Sequence, residues 1–320
     1  MKALWLTVVL SACGSVPRAA PASSTASFVL EDAARFAEVY ALLPSISDTA
    51  TFLDTAYIAR GTAGLRAYQA RYPLSGTGLA NAIRRFPQDY ANVGRRVSWL
   101  ATQEDTLRKV LEHYSRVVPG TVMLPVYFVV GEHFGVNSGS EAGPLISIEN
   151  GAAQVERTTL PEFIAHEMTH IQQFSAVGLA RYRELYISRP WLLGVIVREG
   201  IAEFFAELVT GRVTQPRAKE YFDRNARQLW MELQELLCAT ENGDWVGAPT
   251  RDPTRPRSVG YAIGAEIARM YYGAAPNKSE ALRTLISSDD YASIFLASGF
   301  AEKYGGSRER IGAILAACGL

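Results

Sequence analysis

Residues 161–174 read PEFIAHEMTHIQQF, from Pro161 to Phe174. Two of the chain's four histidines, His166 and His170, stand here four residues apart, and Glu167 directly follows the first. On an α-helix such residues lie about 40° apart around the axis and about 6 Å along it. Both imidazoles then reach one point. Zinc takes nitrogen ligands at about 2.0–2.1 Å, so a pair placed this way suits it. Glu167 adjoins the pair and reaches a water there without being a ligand, which is the position of a general base. The other reading is an ordinary helix whose histidines belong to the core or the surface. Thr159 and Glu162 spell a T-x-x-E capping box and Pro161 falls in the first turn, so the segment is expected to be helical.

A third ligand is needed. His113 and His133 are the only other histidines, and Ala176 stands where a longer histidine motif would place a third. The segment REGIAEFFAEL supplies Glu199, Glu203 and Glu207 at helical spacing. Around them lie Trp191, Leu192, Leu193, Val195, Ile196 and further apolar residues, so this helix is expected to be buried. A buried carboxylate needs a partner or loses its charge. A metal held by two histidines is one such partner. A salt bridge to an arginine such as Arg198 is the other.

H-E-x-x-H followed by a helix with E-G-x-A-E resembles the gluzincin metallopeptidases. The resemblance implies zinc held by His166, His170 and Glu199, with Glu203 orienting a zinc histidine and Glu167 activating the water. Between His170 and Glu199 lie 28 residues, more than in the aminopeptidase and thermolysin-like branches; an extra turn around LARYRELYIS would account for them. The likeness is closer to predicted zinc-dependent proteases of bacterial lipoproteins, related to a gliding-motility lipoprotein family. It covers a helical lead, VYFVVG with a Gly/Ser/Asn turn, HEMTH, REGIAEFF and a late GYAIG. It further implies a substrate-binding edge strand, at 126–130 or 145–149, and a downstream oxyanion donor. Tyr261, opening a helix after the Pro/Arg-rich loop 248–257, is a candidate donor. His133 is the alternative, and a core tyrosine is the plain reading of Tyr261.

The 320 residues suit one large domain or two small ones, and 48% apolar content supports a packed core. Lys+Arg and Asp+Glu both number 32, which argues against a nucleic-acid partner. Residues 3–10 form a short apolar run after Lys2, too short to span a bilayer and suited to an export signal. Leu10-Ser11-Ala12-Cys13 resembles a lipobox, which implies a signal peptide over 1–12 and a lipid on Cys13. Residues 13–27 would then tether the chain to a membrane. Neither Gly14 nor Ser15 is the aspartate that retains such proteins at the inner membrane, so the outer membrane is expected. A plain signal with a chance cysteine is the alternative. Cys238 and Cys318 remain, either as a disulfide or as two unrelated thiols.

Helical periodicity dominates 28–120 and returns after 159. VMLPVYFVVG and GPLISIEN read as two strands joined by a long turn. The expected fold is therefore α+β and mostly helical: a zincin-like domain over 28–320, with a small sheet packed on the histidine helix. Residues 28–120 form the lead and 121–320 the catalytic core. The expected activity is that of a membrane-anchored zinc peptidase acting on a peptide or protein substrate. A zinc hydrolase for a non-peptide amide or ester, and a non-catalytic binding lipoprotein, are the alternatives.

Overall fold

The structure, a computed structural model, describes residues 27–118, 120–135, 137–150, 159–188, 191–247 and 252–319. Cys13 and the expected signal lie outside the described residues, as does part of the loop before Tyr261. The fold is α+β, mostly helical, with one four-stranded sheet.

A short strand, β1 (Phe28–Val29), leads into α1 (Glu31–Leu42), α2 (Thr49–Ala56), α3 (Ala63–Gln69), α4 (Gly76–Arg85), α5 (Pro87–Ala91) and the long α6 (Val93–Val117). Asp48, Thr62 and Ser75 cap α2, α3 and α4 by accepting backbone N–H bonds. The sheet continues with β2 (Val126–Val129), β3 (Asn137–Ser140) and β4 (Gly143–Ser147). Its order is β1-β2-β4-β3.

This sheet corrects two expectations. The two strands read from the sequence, β2 and β4, run parallel, and the turn between them contains β3, which pairs antiparallel with β4. Both β2 and β4 are therefore interior strands. The edge strand next to the histidines is β3, not 126–130 or 145–149.

The lead helices are fastened to the sheet by buried polar groups. Tyr57 Oη donates to the Val130 carbonyl at 2.8 Å, and Tyr90 Oη to that of Gly131 at 2.7 Å. Buried Arg96 donates to the carbonyls of Ile148 (3.1 Å) and Glu149 (2.8 Å). Each bond satisfies a backbone group that water does not reach.

The histidine helix, α7 (Leu160–Val177), is buried along nearly its whole length. The capping box does not form: Thr159 makes no side-chain bond to the helix start. Glu162 instead turns inward, fully buried, and pairs with Arg212. Gly178, with φ 85°, ends the helix.

The extra segment before Glu199 is α8 (Leu179–Arg183), followed by a π-helical stretch, Glu184–Ser188. Next come α9 (Leu192–Thr210), α10 (Pro216–Leu233), α11 (Val259–Ala274), α12 (Lys278–Ser287), α13 (Tyr291–Ser298), α14 (Phe300–Lys303) and α15 (Arg308–Ala317). Apolar on almost all sides, α9 is buried between α7 and α11. It meets α11 at glycines: a Cβ on Gly200 or Gly264 would overlap backbone of the other helix. One apolar core runs from Ala33 in α1 to Leu315 in α15. Cys238 and Cys318 form a disulfide, Cα to Cα 6.2 Å, which ties the last helix to the segment after α10.

Candidate metal centre

Helix α7 presents His166 and His170 on the face toward α9, where Glu199 meets them. The three form a buried group able to hold a metal ion. His170 Nε2 lies 3.1 Å from His166 Nε2 and 3.1 Å from Glu199 Oε2. His166 Nε2 lies 3.3 Å from the same oxygen. Ligands about 2.0–2.1 Å from a tetrahedral ion stand about 3.3–3.4 Å apart. The triangle therefore has nearly the edge lengths such an ion requires.

The outer ring nitrogens point the same way. His170 Nδ1 is 2.8 Å from Gln173 Oε1, which can only accept. Nδ1 thus carries the proton and Nε2 turns its lone pair inward. His166 Nδ1 is 3.1 Å from Glu203 Oε1. It is a charge contact between imidazole and carboxylate. Two imidazole nitrogens and a carboxylate oxygen converge on one point, a donor set that can hold a cation.

The two oxygens of Glu199 face different partners, so the salt bridge to Arg198 leaves one of them free to join the histidines. Oε1 accepts from Arg198 Nε at 3.1 Å and from Arg198 Nη2, while Oε2 faces the histidines. Arg198 Nη1 donates to the Tyr186 carbonyl at 3.0 Å. Both partners named from the sequence thus have a place on one carboxylate. Burial alone would raise the Glu199 pKa, but Arg198 and the two histidines hold it well below the usual carboxylate range. Burial alone would lower that of His166, yet Glu199 and Glu203 outweigh it and hold it well above the ordinary value. Glu167 is buried beside the pair, and burial raises its carboxyl despite both histidines.

These residues open onto a cleft of about 710 Å³. Its walls bring in Tyr261, Tyr182, Arg71 and β3. Tyr261 lies in the first turn of α11, its ring stacked toward His166 at 6.0 Å between centroids. Burial and the nearby Glu199 push its phenol well above the usual range, so it stays a hydrogen-bond donor. Gly139 of β3 lies against α7, where a Cβ would stand 3.1 Å from His170 Cβ.

His133 is engaged elsewhere. Its ring stacks on Phe86 at 3.6 Å, and Nε2 lies 2.8 Å from Asp89 Oδ2. It does not line the cleft, and His113 is exposed on α6. Glu207 pairs with Arg269.

Four contributors were not read in these roles from the sequence. Gln173 stands three residues after His170, a spacing that puts both on one helix face. Arg198 was read as a competitor of the metal rather than its neighbour. Arg71 and Tyr72 come from the lead, so the cleft draws on both sides of the expected boundary at 120. No helix among the described residues is long and apolar enough to cross a membrane. No family model, curated protein or solved structure matches the chain.

Proposed function

We propose that the chain is a zinc-dependent peptidase of zincin-like fold, tethered to a membrane through Cys13. The observation that carries the reading is the buried triangle of His166, His170 and Glu199, with Glu167 beside it, at the floor of an open cleft. His166, His170 and Glu199 would hold the ion. Zinc, when bound, supplies Lewis acidity that polarises a carbonyl and acidifies a water.

The chain's own residues do the rest. Glu167 takes the proton of the attacking water and delivers it to the leaving amine nitrogen. Its burial excludes bulk water from that transfer. Tyr261 donates its phenol hydrogen to the negative charge that develops on the carbonyl oxygen. The outer edge of β3 offers main-chain groups to an extended peptide.

The test is metal content and peptide hydrolysis of the purified protein. Glu167→Gln is expected to keep one equivalent of zinc and to lose at least about 10²-fold in rate. Tyr261→Phe is expected to keep zinc and lose about 10²-fold. A wild type that takes up no zinc would sink the scheme. Hydrolysis of simple esters or amides without peptide cleavage would change the substrate class and leave the centre standing. Zinc binding with no hydrolysis at all would leave a binding protein.

A further inference from the structure

Three arginines border the cleft: Arg71, Arg183 and Arg198. Arg198 is committed to Glu199, and Arg183 Nη2 lies 3.4 Å from Glu141. Arg71, just after α3, has no carboxylate partner among the described residues. One of its N–H groups donates to the Gly139 carbonyl. Gly139 packs against Glu167 and His170, which places Arg71 at the working end of the cleft.

The Gly139 carbonyl faces away from β4. Opposite Gly139 stands Pro144, which has no N–H to offer. Backbone direction alternates along a strand, so Asn137 shares the outward side. A peptide pairing with this edge therefore meets Asn137 and then the guanidinium on Gly139. To continue past Gly139 it would have to displace Arg71. A peptide that places a carboxylate there is instead held by the remaining N–H donors, in a geometry guanidinium favours. An amino terminus would be repelled.

The charge balance agrees. Arg71, Arg183 and Arg198 offset Glu141, Glu167 and Glu199 among the cleft's lining residues. A divalent ion at the centre would leave the cleft positive.

We propose that Arg71 is the receptor for a substrate carboxylate, so that the site takes peptides presenting a free carboxylate beside the bond to be cut. This rests on the peptidase reading. Two sources share the chemistry: the α-carboxylate of a chain end and the side chain of an acidic residue.

The experiment measures binding by calorimetry to full-length, zinc-loaded Glu167→Gln protein, with Arg71 intact, Arg71→Gln or Arg71→Lys. The probes are acetyl-alanyl-phenylalanyl-alanine as the free acid, the same peptide as its amide, and acetyl-alanyl-phenylalanyl-aspartic acid α-amide. With Arg71 intact, at least one carboxylate peptide is expected to bind about tenfold or more tighter than the neutral amide. Arg71→Gln is expected to abolish that preference without weakening the neutral amide, and Arg71→Lys to keep part of it. Preference for the free acid alone assigns a chain-end carboxylate; preference for the aspartyl peptide as well assigns the carboxylate in general. Equal or absent binding of all three peptides, or a preference that survives Arg71→Gln, overturns the proposal. Wild-type hydrolysis of the same peptides separates the two readings. Preference without cleavage removes the peptidase and keeps the receptor, whereas cleavage without preference does the reverse.

Discussion

Gly264 of α11 lies so close to Gly200 of α9 that a methyl on either would overlap the other helix. Gly200 directly follows Glu199, and Tyr261 lies one turn before Gly264. The crossing therefore brings Glu199 and Tyr261 to one cleft. Gly264→Ala is expected to force the helices apart, at a cost of about 3 kcal/mol, and to lower zinc content. Gly273→Ala sits in the same helix with open space around it. It is expected to stabilise by about 0.5–1 kcal/mol, through the helix preference alone. Urea midpoints of both variants check the pair, and equal losses would refute the close-approach account.

Gln173 and Glu203 hold the outer nitrogens of His170 and His166. Removing either, as Gln173→Ala or Glu203→Ala, is expected to weaken metal affinity about 10–100-fold. Glu207→Ala, whose carboxylate pairs with Arg269 instead, should leave it unchanged. Competition with a chelator of known affinity measures all three. Wild-type affinity in the first two would mean that the rings are held by packing alone.

In the metal-free protein His166 is held well above the ordinary histidine value of 6.5, because Glu199 and Glu203 outweigh its burial. Metal binding at His166 therefore competes with its proton. Proton release on metal binding near pH 7 is expected, measurable by calorimetry in buffers of different ionisation enthalpy. The linkage to folding follows by sign. The raised His166 stabilises fully below 6.5, and that contribution is lost as pH rises through its folded value. The depressed Glu199 stabilises fully above 4.5 and loses this as pH falls through its folded value. The pair thus supports the metal-free fold best between 4.5 and 6.5. Denaturant unfolding of chelated protein should show stability falling above that window.

The disulfide joins residues 80 positions apart. Closing a loop of that length restricts the unfolded chain by about 4 kcal/mol. Thermal melts with and without dithiothreitol, and of Cys238→Ser, should show the midpoint fall together. A midpoint indifferent to both would mean that α15 is held by packing alone.

The site's metal-facing residues were legible because their placement is local. The spacing of His166 and His170 and the apolar surroundings of Glu199 belong to single helices, so periodicity exposes them. What escaped depends on contacts distant in sequence. Asn137 to Ser140 spell NSGS, with no strand preference, and become β3 only by pairing with β4 beside α7. Glu162 read as a cap because Thr159 precedes it by three residues, but it pairs instead with Arg212, just past the end of α9. Arg71 is an ordinary exposed arginine until the fold lays it on Gly139. Of the two glycines of GYAIG, Gly264 is required by the crossing with α9, and Gly260 by the Trp245 carbonyl beside it.

His170 Nδ1 contacts Gln173; Gln173 Nε2 donates to the Arg198 carbonyl at 3.2 Å; Arg198 clamps Glu199; and Glu199 returns to His170. These four residues form a closed circuit rather than a chain. Cutting one link leaves the other members joined by the longer way round, so a single substitution degrades the geometry by degrees. Cutting two splits the circuit into separate pieces. Damage to this circuit should therefore be more than additive, and drift at one position stays tolerable only while the remaining three hold.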